Sequence, residues 1–428
     1  MKGTQGDPQN CSGCMAFPAG GHLYETMHSR TAYSFRPPAP VPHARPLGLW
    51  ALLKALRSNP LECWTTAHFE EPVVLGGFPF GRYAVVSDPA AIRQVLIEEN
   101  SAYRKSNIER RVLASRMPNG LVTVDGEQWQ RQRRMLAPLF GRRMTAGFGS
   151  AMGRVADALV ARWQSRPNGS VVEIKADEAL NAAIAERRRS LAADPSPPRD
   201  MLGAMLSAVD PQTGKHLTEV EVKDNVTTFI FGGQETTSSA MTWAIYLLSQ
   251  SPEWRERVTA ETERVIDGSP ATAVDGLVQT RAVVEEALRL YPPIIGITRT
   301  ATRRTELAGR TIERGTMVIV SPYVLHRHRL LWRDSDIFDP TRFLPGQSNM
   351  IQRYAYLPFG VGPRVCVGAG LALQEATLVV ATLMKHFDLD LVPGQSVWPV
   401  IDFTMKPRDG LNMTAKLRRS SANFLAAE

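Results

Sequence analysis

Residues Thr218 to Gln250 read as one helix of roughly thirty residues. Helices of that length are uncommon in ordinary domains, so the pattern points to a mostly α architecture. Its middle reads Phe231-Gly232-Gly233-Gln234-Glu235-Thr236-Thr237. Two glycines with adjacent threonines weaken a helix, and an opening or kink is expected there. Glu235 beside Thr236 places an acid next to a hydroxyl, which suits a proton relay. Taken alone, the same residues also fit a Thr236 hydroxyl bonded back to a helix carbonyl and a Glu235 facing solvent.

Further helical patterns cover Asp88 to Glu99, Gly126 to Arg143, Met152 to Trp163, Glu178 to Leu191, Arg199 to Val209, Pro252 to Ile266, Thr280 to Leu290 and Leu371 to Phe387. Short strands are expected within Pro60 to Val86, Ile297 to Tyr323 and Asp388 to Leu417, where β-branched residues alternate with turn signals. Asp194 to Pro198 reads as a loop and Asp210 to Gly214 as a turn. The fold class is therefore mostly α with a minor β part (α+β), without internal repeats. Residues 1–40, rich in Gly, Pro and Ser, read as a disordered tail, and 41–428 as one domain. Leu47 to Leu56 is apolar and amphipathic, with Lys54 inside it and Arg57 beside it. A packed first helix is expected there, and contact with a membrane surface is the alternative.

Fifty basic against 42 acidic residues give a net charge of +8, which suits an acidic partner or surface. No Lys/Arg block exceeds Arg187-Arg188-Arg189 and aromatic residues are not interleaved with basic ones, so no nucleic acid is expected. Four cysteines are too few for a disulfide framework. Cys11 and Cys14 form a C-x-x-C with no second pair, and Cys63 follows an apolar stretch as a core residue would. His326 and His328 lack a matching ligand set and read as structural. There is no secretory apolar region and no run of eighteen apolar residues, so a cytoplasmic protein without a transmembrane anchor is expected.

The chemistry is concentrated in Phe359 to Gly368, F-G-V-G-P-R-V-C-V-G. Cys366 stands among three glycines and an arginine. Gly360, Gly362 and Gly368 permit tight turns and close backbone approach. Their N–H groups suit a thiolate metal ligand. Arg364 offers a planar fork of donors that suits a carboxylate. A buried, inert cysteine is the plain alternative. A cysteine nucleophile is disfavoured, because no histidine is placed by a recognisable pattern.

The spacing F-x-x-G-x-R-x-C-x-G resembles the haem-thiolate signature of the cytochrome P-450 family, with Phe359, Gly362, Arg364, Cys366 and Gly368 at all five fixed positions. Gly232 to Thr237 resembles the family's oxygen-binding groove. Glu286-Ala287-Leu288-Arg289 with Arg342 resembles its E-x-x-R network, and Trp129 with Arg133 its W-x-x-x-R pair. The resemblance implies haem b (iron protoporphyrin IX) with Cys366 as metal ligand. Phe359, Gly362, Arg364, Gly368, Trp129, Arg133 and Arg299 would bind the cofactor, the arginines at its propionates. Thr236 and Glu235 would be catalytic, at the activated oxygen and in proton relay. Substrate-facing candidates are Phe231, the Ile294 to Ile297 segment and residues near Phe403.

The implied activity is a monooxygenase that inserts one atom of O2 into a small apolar organic substrate. Its electrons would come from an external ferredoxin or flavodoxin-type donor steered to Arg131, Arg133, Arg134, Arg142 and Arg143. One segment departs from the family. Trp129 and Glu235 are only roughly a hundred residues apart, short by roughly sixty, more than loop variation explains. The fold expected is thus one lacking part of the helices that roof the substrate pocket. That leaves two alternatives: a haem-binding protein impaired in catalysis, and a haem-thiolate enzyme that uses peroxide or rearranges its substrate.

Overall fold

The computed structural model describes residues 35–78, 81–115, 117–173, 201–266 and 274–418. Cys11, Cys14 and the expected elements at Glu178 to Leu191 and Asp194 to Pro198 lie outside them. The chain is tied down from Phe35. Its ring packs edge-on to Tyr246, its carbonyl accepts from Phe338 N at 3.0 Å, and Tyr291 Oη donates to Pro38 O at 2.8 Å.

The helices are α1 (Leu49–Ser58), α2 (Pro89–Arg93), α3 (Asn107–Ala114), α4 (Gly126–Leu136), α5 (Arg142–Gln164), α6 (Met201–Ser207), α7 (Glu219–Ser249), α8 (Pro252–Val265), α9 (Val278–Leu290), α10 (Pro322–Leu325) and α11 (Ala369–His386). The strands are β1 (Val73–Phe78), β2 (Gly81–Val86), β3 (Tyr103–Lys105), β4 (Ser170–Glu173), β5 (Ile297–Ala301), β6 (Thr305–Leu307), β7 (Arg310–Ile312), β8 (Met317–Val320), β9 (Phe387–Leu391), β10 (Pro399–Ile401), β11 (Met405–Pro407) and β12 (Asn412–Leu417). The largest sheet runs β1-β2-β8-β5-β3, with β2 and β8 parallel and its other pairs antiparallel. Small antiparallel sheets join β4-β12-β9, β6-β7 and β10-β11.

The long helix α7 begins at a capping box. Thr218 Oγ1 accepts from Glu221 N at 3.3 Å, and Glu221 Oε2 accepts from Thr218 N at 3.0 Å. Pro252, which cannot continue a helix, opens α8 just beyond its end. The C-terminal half of α7 is the core of the molecule. Trp243, Ala244, Leu247 and Leu248 are fully buried in a cluster shared with α5, α9 and α11. The Trp243 ring stacks on Tyr291 with centroids 3.7 Å apart, and its Nε1 donates to Met405 O at 3.0 Å.

Two expected boundaries move. The helix from Gly126 stops at Leu136, because Pro138 forces a 3₁₀ turn over Ala137–Phe140. The next helix then starts at Arg142 rather than Met152. Gly232 and Gly233 do not interrupt α7, which is unbroken from Glu219 to Ser249. Tertiary packing overrides their weak propensity. A third expectation is reversed at α1, where only Ala55 is buried and the apolar face looks outward. Among the described residues no helix is long and apolar enough to cross a membrane.

A fully buried ion pair holds α9 to the segment after α10. Arg289 Nε and Nη2 meet Glu286 Oε2 and Oε1 at 2.6 and 2.7 Å. The rest of the guanidinium donates to the carbonyls of His326, Ser335 and Ile337 at 2.8, 2.6 and 2.9 Å. Glu286 Oε1 also accepts from Asp339 N at 2.8 Å and lies 3.7 Å from Arg342 Nε. Every hydrogen-bonding nitrogen of Arg289 is thus used, which is what makes a charge tolerable there. Replacing Glu286 by Gln leaves that cation uncompensated. It should cost about 3–5 kcal/mol in urea unfolding, against under ~1 kcal/mol for Arg93→Ala, which breaks the exposed Arg93–Glu98 pair.

Candidate active site

The cysteine loop is closed by its own backbone. Gly360 N donates to Leu357 O, Val365 N to Gly362 O and Cys366 N to Phe359 O, at 3.1, 3.0 and 2.9 Å. Gly362 has φ +78°, and a Cβ there would run into Leu96 O. Only glycine permits both that backbone and that contact. Leu96 lies in the widened helical turn Gln94–Glu98 that follows α2. Gly368 is different. Its φ is an ordinary −90°, it precedes α11, and its N–H donates to the Cys366 sulfur.

Cys366 has an open face, yet protein surrounds the sulfur closely enough that desolvation pushes its thiol pKa upward. The Gly368 N–H and the nearby Arg133 charge oppose that rise. The thiol is thus reachable from outside while its own loop closes around it. Gly232 and Gly233 are exposed although they lie mid-way along α7, and a Cβ on either would meet nothing within 4 Å. Their function in the fold is to leave space. Thr236 Oγ1 donates to Gly232 O at 2.6 Å, the back-bonded state expected of it in isolation. Glu235 is half-buried beside it. Phe231 and Phe403 meet edge-on with centroids 4.6 Å apart. Phe359 packs against the main core.

Four cations converge beside the loop. Arg364 lies over the Trp129 ring, 4.2 Å from its centroid, and pairs with Asp125, the N-cap of α4. Its fork is thus engaged by a protein carboxylate. Arg299, largely buried on β5, has Nη1 4.0 Å from Glu109 Oε2 and donates to its own strand at Thr298 O. Burial lowers its pKa, and Glu109 and Asp125 oppose that. Arg133 has no carboxylate in ion-pair reach among the described residues, and burial lowers its pKa too. The fourth cation, Lys105 on β3, escaped sequence reasoning. It is buried, donates to Val122 O, and desolvation lowers its pKa to about 8. Glu109 and Asp125 raise that pKa, while Arg364 and Arg299 lower it. Nothing in Tyr103-Arg104-Lys105 marks Lys105 as the inward residue; the β3–β5 pairing does. Asp125 before Gly126 could have been found as a helix N-cap.

Among the described residues, Glu109 and Asp125 are the carboxylates that act on Lys105, Arg299 and Arg364, while Arg133 feels Cys366, so these four cations outnumber the two carboxylates. A group with two carboxylates and a metal for the thiol matches that surplus. The basic patch expected to meet an electron donor is partly used internally. Arg131 pairs with Glu221, and Arg134 grips buried Asp210 at 2.8 and 3.0 Å. Burial and the neighbouring cations Arg289 and Arg327 push the His326 pKa down to about 3. His326 therefore stays neutral and accepts from Leu357 N at 2.8 Å.

The sequence profile described as cytochrome P-450 matches residues 40–177 and 171–414. This chain belongs to the cytochrome P-450 family. It is an oxidoreductase of the monooxygenase class with a haem cofactor. Cyclooctatin synthase of Streptomyces melanosporofaciens is 30% identical over 390 residues, covering 76% of this chain and 83% of the relative. Pentalenene oxygenase of Streptomyces avermitilis is 29% identical over 376 residues, covering 73% and 83%. Cyclooctat-9-en-7-ol 5-monooxygenase of S. melanosporofaciens is 41% identical over 220 residues; that match spans 51% of this chain and about half (47%) of the relative. Among solved structures, the haem domain of cytochrome P-450DA superposes with a TM-score of 0.77 at 24% identity, over 90% of this chain and 98% of that one.

This chain is shorter than cyclooctatin synthase over the matched span. Since 76% of 428 residues is about 325, the 390 positions aligned with cyclooctatin synthase include about 65 that this cytochrome P-450 lacks. The two profile blocks meet at residues 171–177, within the stretch read as shortened.

Lys105 provides a test of the cluster. Its lowered pKa means that its contribution to stability is complete above about 10.5 and is lost as pH falls through about 8. Lys105→Met should therefore stabilise the haem-free protein relative to the parent at pH 7, by ~1–3 kcal/mol, and much less at pH 10. The same variant should release haem faster to an acceptor apoprotein. A pH-independent difference between the two unfolding curves contradicts the assignment.

Proposed function

We propose that this chain binds haem b through Cys366 and inserts one oxygen atom from O2 into a small apolar organic substrate in the cytoplasm. An external ferredoxin or flavodoxin-type donor supplies the electrons. The observation that carries the reading is the loop and what surrounds it: an accessible thiol held by the Cys366 N to Phe359 O bond, beside clustered cations whose charge two propionates would neutralise. The haem, when bound, supplies the electron-transfer and oxygen-activating chemistry, to which thiolate ligation contributes electron density.

The chain's own residues have separate tasks. Gly368 N–H tunes the sulfur through its hydrogen bond. Gly362 seats the loop against Leu96. Arg133, Arg299, Arg364 and Lys105 hold the propionates, with Trp129 stacked beneath Arg364. Gly232 and Gly233 leave room for the flat face. Thr236 holds a proton at Oγ1 beside that space, and Glu235 passes protons to it. Phe231, Phe403 and the Ile294 to Ile297 segment form the apolar side. For the substrate we favour a cyclic alkene or alkenol, the class that appears in the names of pentalenene oxygenase and cyclooctat-9-en-7-ol 5-monooxygenase.

A second reading, a haem protein without turnover, draws on the about 65 residues that cyclooctatin synthase has and this chain lacks. Two measurements separate the readings. The reduced protein under carbon monoxide should show a Soret band shifted far to the red, and Cys366→Ser should abolish it; a band that survives the substitution removes Cys366 as ligand. In turnover with a ferredoxin system, Thr236→Ala should keep that band but lose product per electron consumed, by about tenfold or more. Absence of product from the parent protein, with the band intact, selects the second reading.

A further inference from the structure

The helix α1 has its apolar face on the outside. Trp50 is 83% exposed, and Leu49, Leu53 and Leu56 are 44, 45 and 40% exposed. The three leucines recur at i, i+4 and i+7, so they form one stripe with Trp50 along its flank. Single exposed leucines are ordinary, whereas a continuous stripe ending in an exposed tryptophan marks an interaction surface. Val41, just before the helix, is 84% exposed. The stripe is a convex ridge carried by one helix, not a groove.

The charge around it is one-sided. From Arg36 to Leu61 the chain carries Arg36, Arg45, Lys54 and Arg57, and the first acid after them is Glu62, whose Oε1 accepts from Asn59 Nδ2 at 3.3 Å. All four cations are exposed, and among the described residues none is in an ion pair. An unpaired basic rim around an apolar ridge is complementary to a surface that is negative outside and oily beneath. Leucines enter the acyl boundary, Trp50 sits at the headgroup level, and Lys54 and Arg57 extend their stems to reach anionic headgroups. A second copy of this chain is a poor occupant, because pairing through this ridge would bring the same four cations together twice.

We propose that α1 is an in-plane anchor that docks this protein on an anionic lipid bilayer. The anchor is peripheral and reversible, since one ten-residue helix is too short to span a bilayer. It is independent of the haem site and of the substrate reading.

The test is co-sedimentation of the full-length, haem-loaded protein with vesicles. Binding to equimolar phosphatidylglycerol and phosphatidylcholine should exceed binding to phosphatidylcholine alone by about tenfold or more, and should weaken sharply in about 0.5 M salt. Trp50→Ser with Leu53→Ser should reduce it by about tenfold, and so should Lys54→Glu with Arg57→Glu. Both pairs are exposed, so unchanged Soret spectra and melting curves establish that the variants are folded. Equal binding to both vesicle types, or parental binding by either variant, overturns the proposal. So does a lipid-free dimer that dissociates in Trp50→Ser with Leu53→Ser, which would make a second copy the occupant.

Discussion

The buried Glu286–Arg289 pair is the constraint on which the rest of the site depends. Two like-sized opposite charges in a dry interior are stable only while every donor and lone pair is used. Using them all fixes where the backbone at His326, Ser335, Ile337 and Asp339 must be. From there the constraint reaches the cysteine by hydrogen bonds. His326, whose carbonyl accepts from Arg289, accepts through its ring from Leu357 N. Leu357 O accepts from Gly360 N, and Phe359 O accepts from Cys366 N. A neutral His326 is required for this chain of contacts, and burial beside Arg289 and Arg327 keeps it neutral. Geometry set by an ion pair on α9 thus becomes the position of a thiol two elements away.

The second organising quantity is charge. Burying four cations near one another is unfavourable, and Lys105 records that cost in its lowered pKa. Glu109 and Asp125 relieve it only in part. A dianionic group bound there, as proposed, would relieve the rest and would contribute its binding energy to the fold. None of these residues lies in the stretch of sequence read as shortened, between Lys175 and Leu180.

Local rules made much of this legible. The cysteine loop, the capping box at Thr218 and the E-x-x-R helix are short-range patterns whose physical demands are met by neighbours in sequence. The long helix was legible for the same reason, though its glycines were misread. Intrinsic propensity predicts a weak point at Gly232, while the helix continues through it to the buried Trp243 and Leu247, and the missing side chains leave free volume. Pro138, which turns the chain into a 3₁₀ helix, is likewise a local signal inside the helical pattern of Gly126 to Arg143.

The sequence by itself determined the family, because a thiol, its glycines and its arginine lie within ten residues and their spacing is a local pattern. Only the tertiary structure decided which charges meet and which faces are covered. Lys105 and Arg299 come together through the pairing of β3 with β5, Arg131 and Arg134 are drawn into internal ion pairs, and α1 turns its leucines outward. These outcomes depend on contacts between residues far apart in the chain. Periodicity states that a helix has an apolar face, and only the assembled fold says whether the protein has anything to put against it.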